Sequence, residues 1–136
     1  MIPKVNARGH SFKGITAYLM NPSDDMLPDQ ERVSWSETGN MLTDDIEKAA
    51  KVMAWTSMHA DELKAAAGTS LAGAKPTAGD VFHHVLAWAQ NEAPEQDHMR
   101  EQALETLSRL GLSEHEYYMV AHADREHSHL HIVSNL

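Results

Sequence analysis

Ala121-His122-Ala123-Asp124-Arg125-Glu126-His127-Ser128-His129-Leu130-His131-Ile132-Val133 places four of the chain's ten histidines within ten residues. Residues 117–120 before it are aromatic or apolar, and Ile132 and Val133 close it. Both flanks read as buried strands, and residues 123–128 as the polar turn of a hairpin. Side chains alternate faces along a strand that rises about 3.3–3.4 Å per residue, so His129 and His131 project from one face ~7 Å apart. Across the hairpin, His122 falls on the same face. Three imidazoles then converge from two strands.

Three protein ligands with open positions are the style of a catalytic metal site, because a structural zinc site is normally closed by a fourth ligand. The competing readings are a surface hairpin that happens to be rich in histidine, and buried histidines satisfied by hydrogen bonds. Histidine-hydrophobe-histidine within a strand, with a third histidine across the turn, favours a metal or phosphate site. His127 has the wrong parity for the cluster. It and Asp124 fit the turn or the surroundings of the ligands, where either can orient an imidazole through its other nitrogen.

At 136 residues the chain is one domain, long enough to bury a core. The absence of cysteine excludes disulfides and thiolate ligands. No apolar run approaches the ~20 residues of a membrane span, and the N-terminus lacks a signal-peptide core, so a soluble cytoplasmic protein is expected. The formal charge of −9 argues against a general nucleic-acid binder. The charge is segregated, however. Residues 1–23 hold Lys4, Arg8 and Lys13 and no acidic residue.

Taken in order, residues 1–5 suggest a short strand, followed by a loop of turn formers, Asn6-Ala7-Arg8-Gly9-His10-Ser11. Phe12, Ile15 and Leu19 have helical spacing, with Ser11 placed to cap and Tyr18 inside the segment. Its competing reading is a tyrosine half-buried in the core. Residues 31–36 alternate as an edge strand around Val33 and Trp35. Thr43, Asp44 and Asp45 start a helix running to about Met58, with a second alanine-rich piece over 61–67. Residues 68–79 form a flexible loop.

Residues 81–89 are apolar on both faces, as in a central strand, with His83 and His84 pointing to opposite sides. His84 is carried as a group bordering the cluster, against the reading of a core histidine. Pro94 and Glu95 open a helix that Gly111 closes, with Met99, Ala103, Leu107 and Leu110 inward. Strand, helix, strand, helix, strand, helix and a terminal hairpin indicate an α+β domain. Its sheet of about five mainly antiparallel strands is expected to have helices packed on one face and the other face left for a site.

The run His122-Ala-Asp124-Arg-Glu-His127-Ser-His129-Leu-His131-Ile-Val-Ser-Asn135 resembles the histidine motif of plasmid mobilisation relaxases of the MobA/VirD type, in the HUH endonuclease superfamily. The opening Arg8-Gly-His-Ser11-Phe12-Lys13-Gly14-Ile-Thr-Ala-Tyr18-Leu19 resembles the family's first motif, in which the tyrosine before the leucine is the nucleophile. The two motifs stand in the relaxase order, tyrosine ahead of the histidines. The resemblance implies a bacterial enzyme that nicks one strand at an origin of transfer during conjugative mobilisation. Tyr18 would attack the scissile phosphate and leave a 5′-phosphotyrosine and a free 3′-OH.

A phenol titrates near pH 10 and needs a base or a nearby cation to attack at neutrality. A cation on His122, His129 and His131 would neutralise charge on the phosphoryl oxygens. The family is regarded as using Mg or Mn, whereas three imidazoles favour Mn, Co, Ni or Zn on softness. Asp124 is a candidate for steering His122 or His129 and for helping to take the phenolic proton. Single-stranded DNA would be gripped by Lys4, Arg8, Lys13 and Arg125, with stacking on Trp35. Relaxosome accessory proteins and a coupling protein are the further partners implied.

Relaxases continue past the histidine motif, so residues 1–136 are expected to be a relaxase catalytic domain truncated at its C-terminus. Two rival classes remain: a phosphodiesterase in which metal-bound water attacks, and a non-catalytic remnant that binds metal or DNA.

Overall fold

The computed structural model describes residues 1–21, 33–60, 62, 79–89, 91–122 and 128–136. Among the described residues five strands and three helices follow in the order β1 (Ile2–Val5), α1 (Phe12–Met20), β2 (Val33–Gly39), α2 (Ile46–Met58), β3 (Val81–Trp88), α3 (Gln96–Arg109), β4 (Tyr117–His122) and β5 (Ser128–Asn135). One sheet takes all five strands in the order β1-β3-β5-β4-β2, and every neighbouring pair is antiparallel. The α+β class and the terminal hairpin are as the sequence pattern indicates. The chain's last strand is the middle of the sheet. Apart from residue 62, the expected helical piece over 61–67 lies outside the described residues, as does most of the loop after it.

The helices do not share one face. Phe12 and Leu19 of α1 pack with Ile46, Ala49, Ala50 and Met53 of α2 against Val81, Tyr118, Val120 and Val133. On the other side Met99, Ala103 and Leu107 of α3 meet Leu86, Trp88, Tyr117, Met119, Ala121, Leu130 and Ile132. The cause is the composition of β4, whose six residues are all buried. An alternating strand can leave one face wet, but Tyr-Tyr-Met-Val-Ala presents large apolar groups to both sides and requires cover on both.

The helix ends follow local chemistry. Ser11 Oγ accepts the Gly14 N–H at 2.9 Å and caps α1. Asp45 caps α2 by accepting the Lys48 N–H at 2.9 Å, while Thr43 Oγ1 accepts from Asp45 N–H and supports the turn before it. The helix therefore starts two residues later than a Thr43 cap would place it. Gly111 ends α3 at φ 74°, with Leu112 N–H donating to Leu107 carbonyl at 2.8 Å and Gly111 N–H to Ser108 carbonyl at 3.1 Å. That is the Schellman closure, and it buries Leu112 beside Leu107.

Residues 6–9 are fastened along β3 past the end of β1. Asn6 N–H donates to His83 carbonyl at 3.0 Å, and Gly9 exchanges both backbone bonds with Val81. This fixes where α1 begins. At the opposite edge, Gly39 of β2 pairs with Tyr117, whose ring covers it so closely that a Cβ would overlap the ring. Gly39→Ala is expected to cost about 1–2 kcal/mol by displacing that ring, measured by urea unfolding.

Candidate active site

Strand register decides which histidines meet. His122 pairs with His129, and Val120 with His131, so His122, His129 and His131 occupy one face of the β4–β5 hairpin. On β3, Val85 pairs with His131 and His83 with Val133, which makes His83 a diagonal neighbour of His131 on that same face. Ring centroids lie 4.3 Å apart for His122 and His131, 5.1 Å for His83 and His131, and 6.4 Å for His129 and His131. His122 is buried, while His129 and His131 are half-buried.

Helix α1 brings the tyrosine. Phe12, Thr16 and Leu19 face the core, which leaves Ile15 and Tyr18, three residues apart on an adjacent stripe, along the margin of the sheet. Tyr18 is 61% exposed. Tyr18, His83, His122, His129 and His131 line one cavity of about 510 Å³, together with Lys4 and Asn6. Two buried contacts lock the helix over the hairpin. His122 Nε2–H donates to Leu19 carbonyl at 2.8 Å, and the Thr16 and Tyr118 hydroxyls are 2.7 Å apart.

The electrostatics separate the rings and the phenols. Burial, with His122 and Lys4 adding to it, pushes His83 down to about 4, so this ring is neutral at physiological pH. Tyr118 is pushed up to about 12 by burial, against the opposing effect of its Thr16 bond. It is a core residue, and Tyr117 is buried on the α3 side.

The sequence candidates divide as follows. Lys4 reaches the cavity, whereas Lys13 lines a separate groove between α1 and α2 with Glu47 and Lys51, and Arg8 is exposed in the loop before α1. Asp124, Arg125 and His127 lie outside the described residues. Trp35 is half-buried against the α3 core, on the side away from the histidines. On β3 it is His83, not His84, that faces the cluster. His84 is 1% exposed on the opposite face, beside Phe82. The signal for this lay in residue size. Phe82, His84, Leu86 and Trp88 form the bulky face that seeks cover, while Val85 and Ala87, in phase with His83, leave room for a cavity. Asn6, whose side chain reaches His83, was not singled out by its sequence context.

Among the described residues, no three His, Asp or Glu are set around one point at ligand spacing. The donors fit in kind, because imidazole nitrogens on two adjacent strands suit a divalent transition ion. His122 also has the support expected of a ligand, its Nε2–H fixed by a carbonyl so that the lone pair sits on Nδ1.

Residues 18–136 match the family model described as Relaxase: MobA/VirD2-like, nuclease domain. The chain belongs to this relaxase family. The matched region begins at Tyr18 and takes in every histidine of the cluster. As a relaxase nuclease domain the chain is a DNA-nicking enzyme with DNA as its partner. No curated protein matches the chain. Among the described residues, no helix of this relaxase is long and apolar enough to cross a membrane.

Proposed function

We propose that the chain nicks one DNA strand at an origin of transfer by transesterification through Tyr18. The supporting observation is that Tyr18, from the first helix, and the histidines of the last hairpin line the same cavity. The Tyr18 oxygen attacks the scissile phosphorus, forming the Tyr–O–P bond of a 5′-phosphotyrosine as the P–O bond to the preceding sugar breaks. The phenolic proton passes to a base, with Asp124 the candidate, and the departing oxygen takes up a proton to become a 3′-OH. One phosphodiester replaces another, so the bond energy is kept and the strand can be rejoined.

The chain's own groups prepare this step. Tyr18 sits on a helix held over the hairpin by the His122–Leu19 contact, which limits how far the phenol can drift from the cavity. Lys4, on the cavity wall, places a positive charge where a phosphate would enter. His122, His129 and His131 would hold a divalent cation, whose contribution would be charge neutralisation on the non-bridging phosphate oxygens. Arg8, Lys13 and Arg125 are the further candidates for contacts along the strand.

The test uses single-stranded oligonucleotides carrying the origin sequence, with Mn²⁺ or Mg²⁺, read on denaturing gels. A covalent protein–DNA adduct is expected, with the modified peptide mapping to Tyr18 by mass spectrometry. Multi-turnover cleavage without an adduct would assign the chain to water-mediated hydrolysis instead. Binding without any cleavage would make it a remnant.

A further inference from the structure

Asn6, His83 and His131 form a continuous chain of close polar contacts that the nicking reaction does not itself require. The Asn6 side-chain amide lies 2.9 Å from His83 Nδ1, and His83 Nε2 lies 2.9 Å from His131 Nδ1. Asn6 is held beside the ring by its own backbone N–H, which donates to the His83 carbonyl at 3.0 Å.

A neutral imidazole has one N–H and one lone pair, so this chain can run in only two directions. With the amide nitrogen toward His83, Asn6 Nδ2–H donates to His83 Nδ1, and a neutral His83 then donates its Nε2–H to His131 Nδ1. His131 then carries its proton on Nε2. With the Asn6 amide turned over, its oxygen accepts from His83 Nδ1–H and His83 Nε2 accepts from His131 Nδ1–H. The His131 lone pair moves to Nε2. Each arrangement has two protons on two rings, so none is gained or lost. The amide oxygen and nitrogen are near-equal in size, so turning it over needs no extra room.

A metal ion takes a lone pair, not an N–H. In the first arrangement the one lone pair of His131 is committed to His83. We propose that Asn6 and His83 are positioning residues that select the tautomer of His131, the Asn6 amide orientation choosing between a ring closed onto His83 and a ring with its lone pair on Nε2, ready to bind a metal. The inference rests on the reading of His131 as a ligand and adds what prepares it.

Imidazole ¹⁵N spectra of the full chain tell N–H from lone-pair nitrogens ring by ring. In the metal-free protein both His83 and His131 are expected to carry the proton on Nε2. After saturation with Zn²⁺ alone, both protons are expected on Nδ1. Asn6→Asp offers His83 only acceptors, so both rings should hold Nδ1–H before any metal is added, with Zn²⁺ bound about tenfold more tightly by calorimetry. Asn6→Leu leaves the His83–His131 contact in place but removes the group that chooses its direction, so the metal-free rings should populate both the Nδ1–H and the Nε2–H forms.

The metal-free tautomer of His131 in Asn6→Asp is the deciding readout, because a merely structural role for residue 6 would leave it unmoved. The proposal is overturned if His131 already carries Nδ1–H in the metal-free wild type. It is equally overturned if both variants keep the wild-type proton distribution. Should Asn6→Asp fail to fold, a metal-free Asn6→Leu that keeps both protons on Nε2 overturns it, and a mixture of the two forms supports it. If Zn²⁺ fails to bind the wild type, the ligand reading fails, while the metal-free comparison still decides the relay. If Tyr18 forms no adduct but the protons move as described, only the nicking chemistry is lost.

Discussion

Tyr18→Phe is expected to abolish the covalent adduct and to lower strand nicking by about 10³-fold or more, the scale on which removing a nucleophile acts. The phenyl ring would still occupy the helix stripe beside the cavity, and a residue 61% exposed contributes little to the core. The loss would therefore come from chemistry and not from folding. No other tyrosine can stand in. The chain has three. Tyr118 is fully buried, its hydroxyl engaged by Thr16 at 2.7 Å and its acidity weakened to about 12. Tyr117 lies under α3 on the far face of the sheet. Tyr118→Phe should keep the adduct while lowering stability by about 1 kcal/mol through the lost hydroxyl contact. Denaturing gels and urea unfolding on the same samples separate the two effects. An adduct that survives in Tyr18→Phe, or vanishes in a folded Tyr118→Phe, would move the nucleophile elsewhere.

The parity of His129 and His131 was legible from the sequence because a strand has a fixed period, and the pairing of His122 with His129 puts His122 on their face as expected. The element order was legible for the same reason, since each segment carries its own periodicity and caps. What joins distant segments was less so. Residue size along β3 hints at which of His83 and His84 faces away from the core, but does not say where the cluster is. That depends on pairing with β5, 48 residues on from His83 to His131. The expectation of a bare sheet face failed although its contrary was visible in the doubly apolar β4. Asn6 looked like a turn former, which it is. Its second role exists only because the strand it follows lies beside β3.

His84→Leu is expected to stabilise the protein at neutral pH and to remove part of its loss of stability in acid. His84 is 1% exposed, and neither ring nitrogen has a hydrogen-bond partner among the described residues. A buried polar group left unpaired costs about 1–3 kcal/mol, and an apolar side chain of similar size does not incur that cost. The same burial, helped by the nearby His83, holds His84 down to about 4 from an ordinary value of 6.5. Above 6.5 the ring is neutral in both folded and unfolded chains, so it gives stability no pH dependence there. Between 6.5 and about 4 the unfolded chain takes up a proton that the folded chain refuses. Stability therefore falls as the pH drops, by about 1.4 kcal/mol per pH unit for this one group, and levels off once the folded state is protonated too. Near pH 5 the accumulated loss is about 2 kcal/mol. Leucine has no proton to take. The advantage of His84→Leu over wild type should thus grow from about 1 kcal/mol near pH 7.5 to about 3 kcal/mol near pH 5. His83, also held at about 4, keeps a residual slope in both proteins. Urea unfolding across that range measures the difference directly. An offset that does not change with pH would mean that His84 is not the group refusing the proton, and a variant less stable at neutral pH would mean that its ring nitrogens are satisfied in the folded protein.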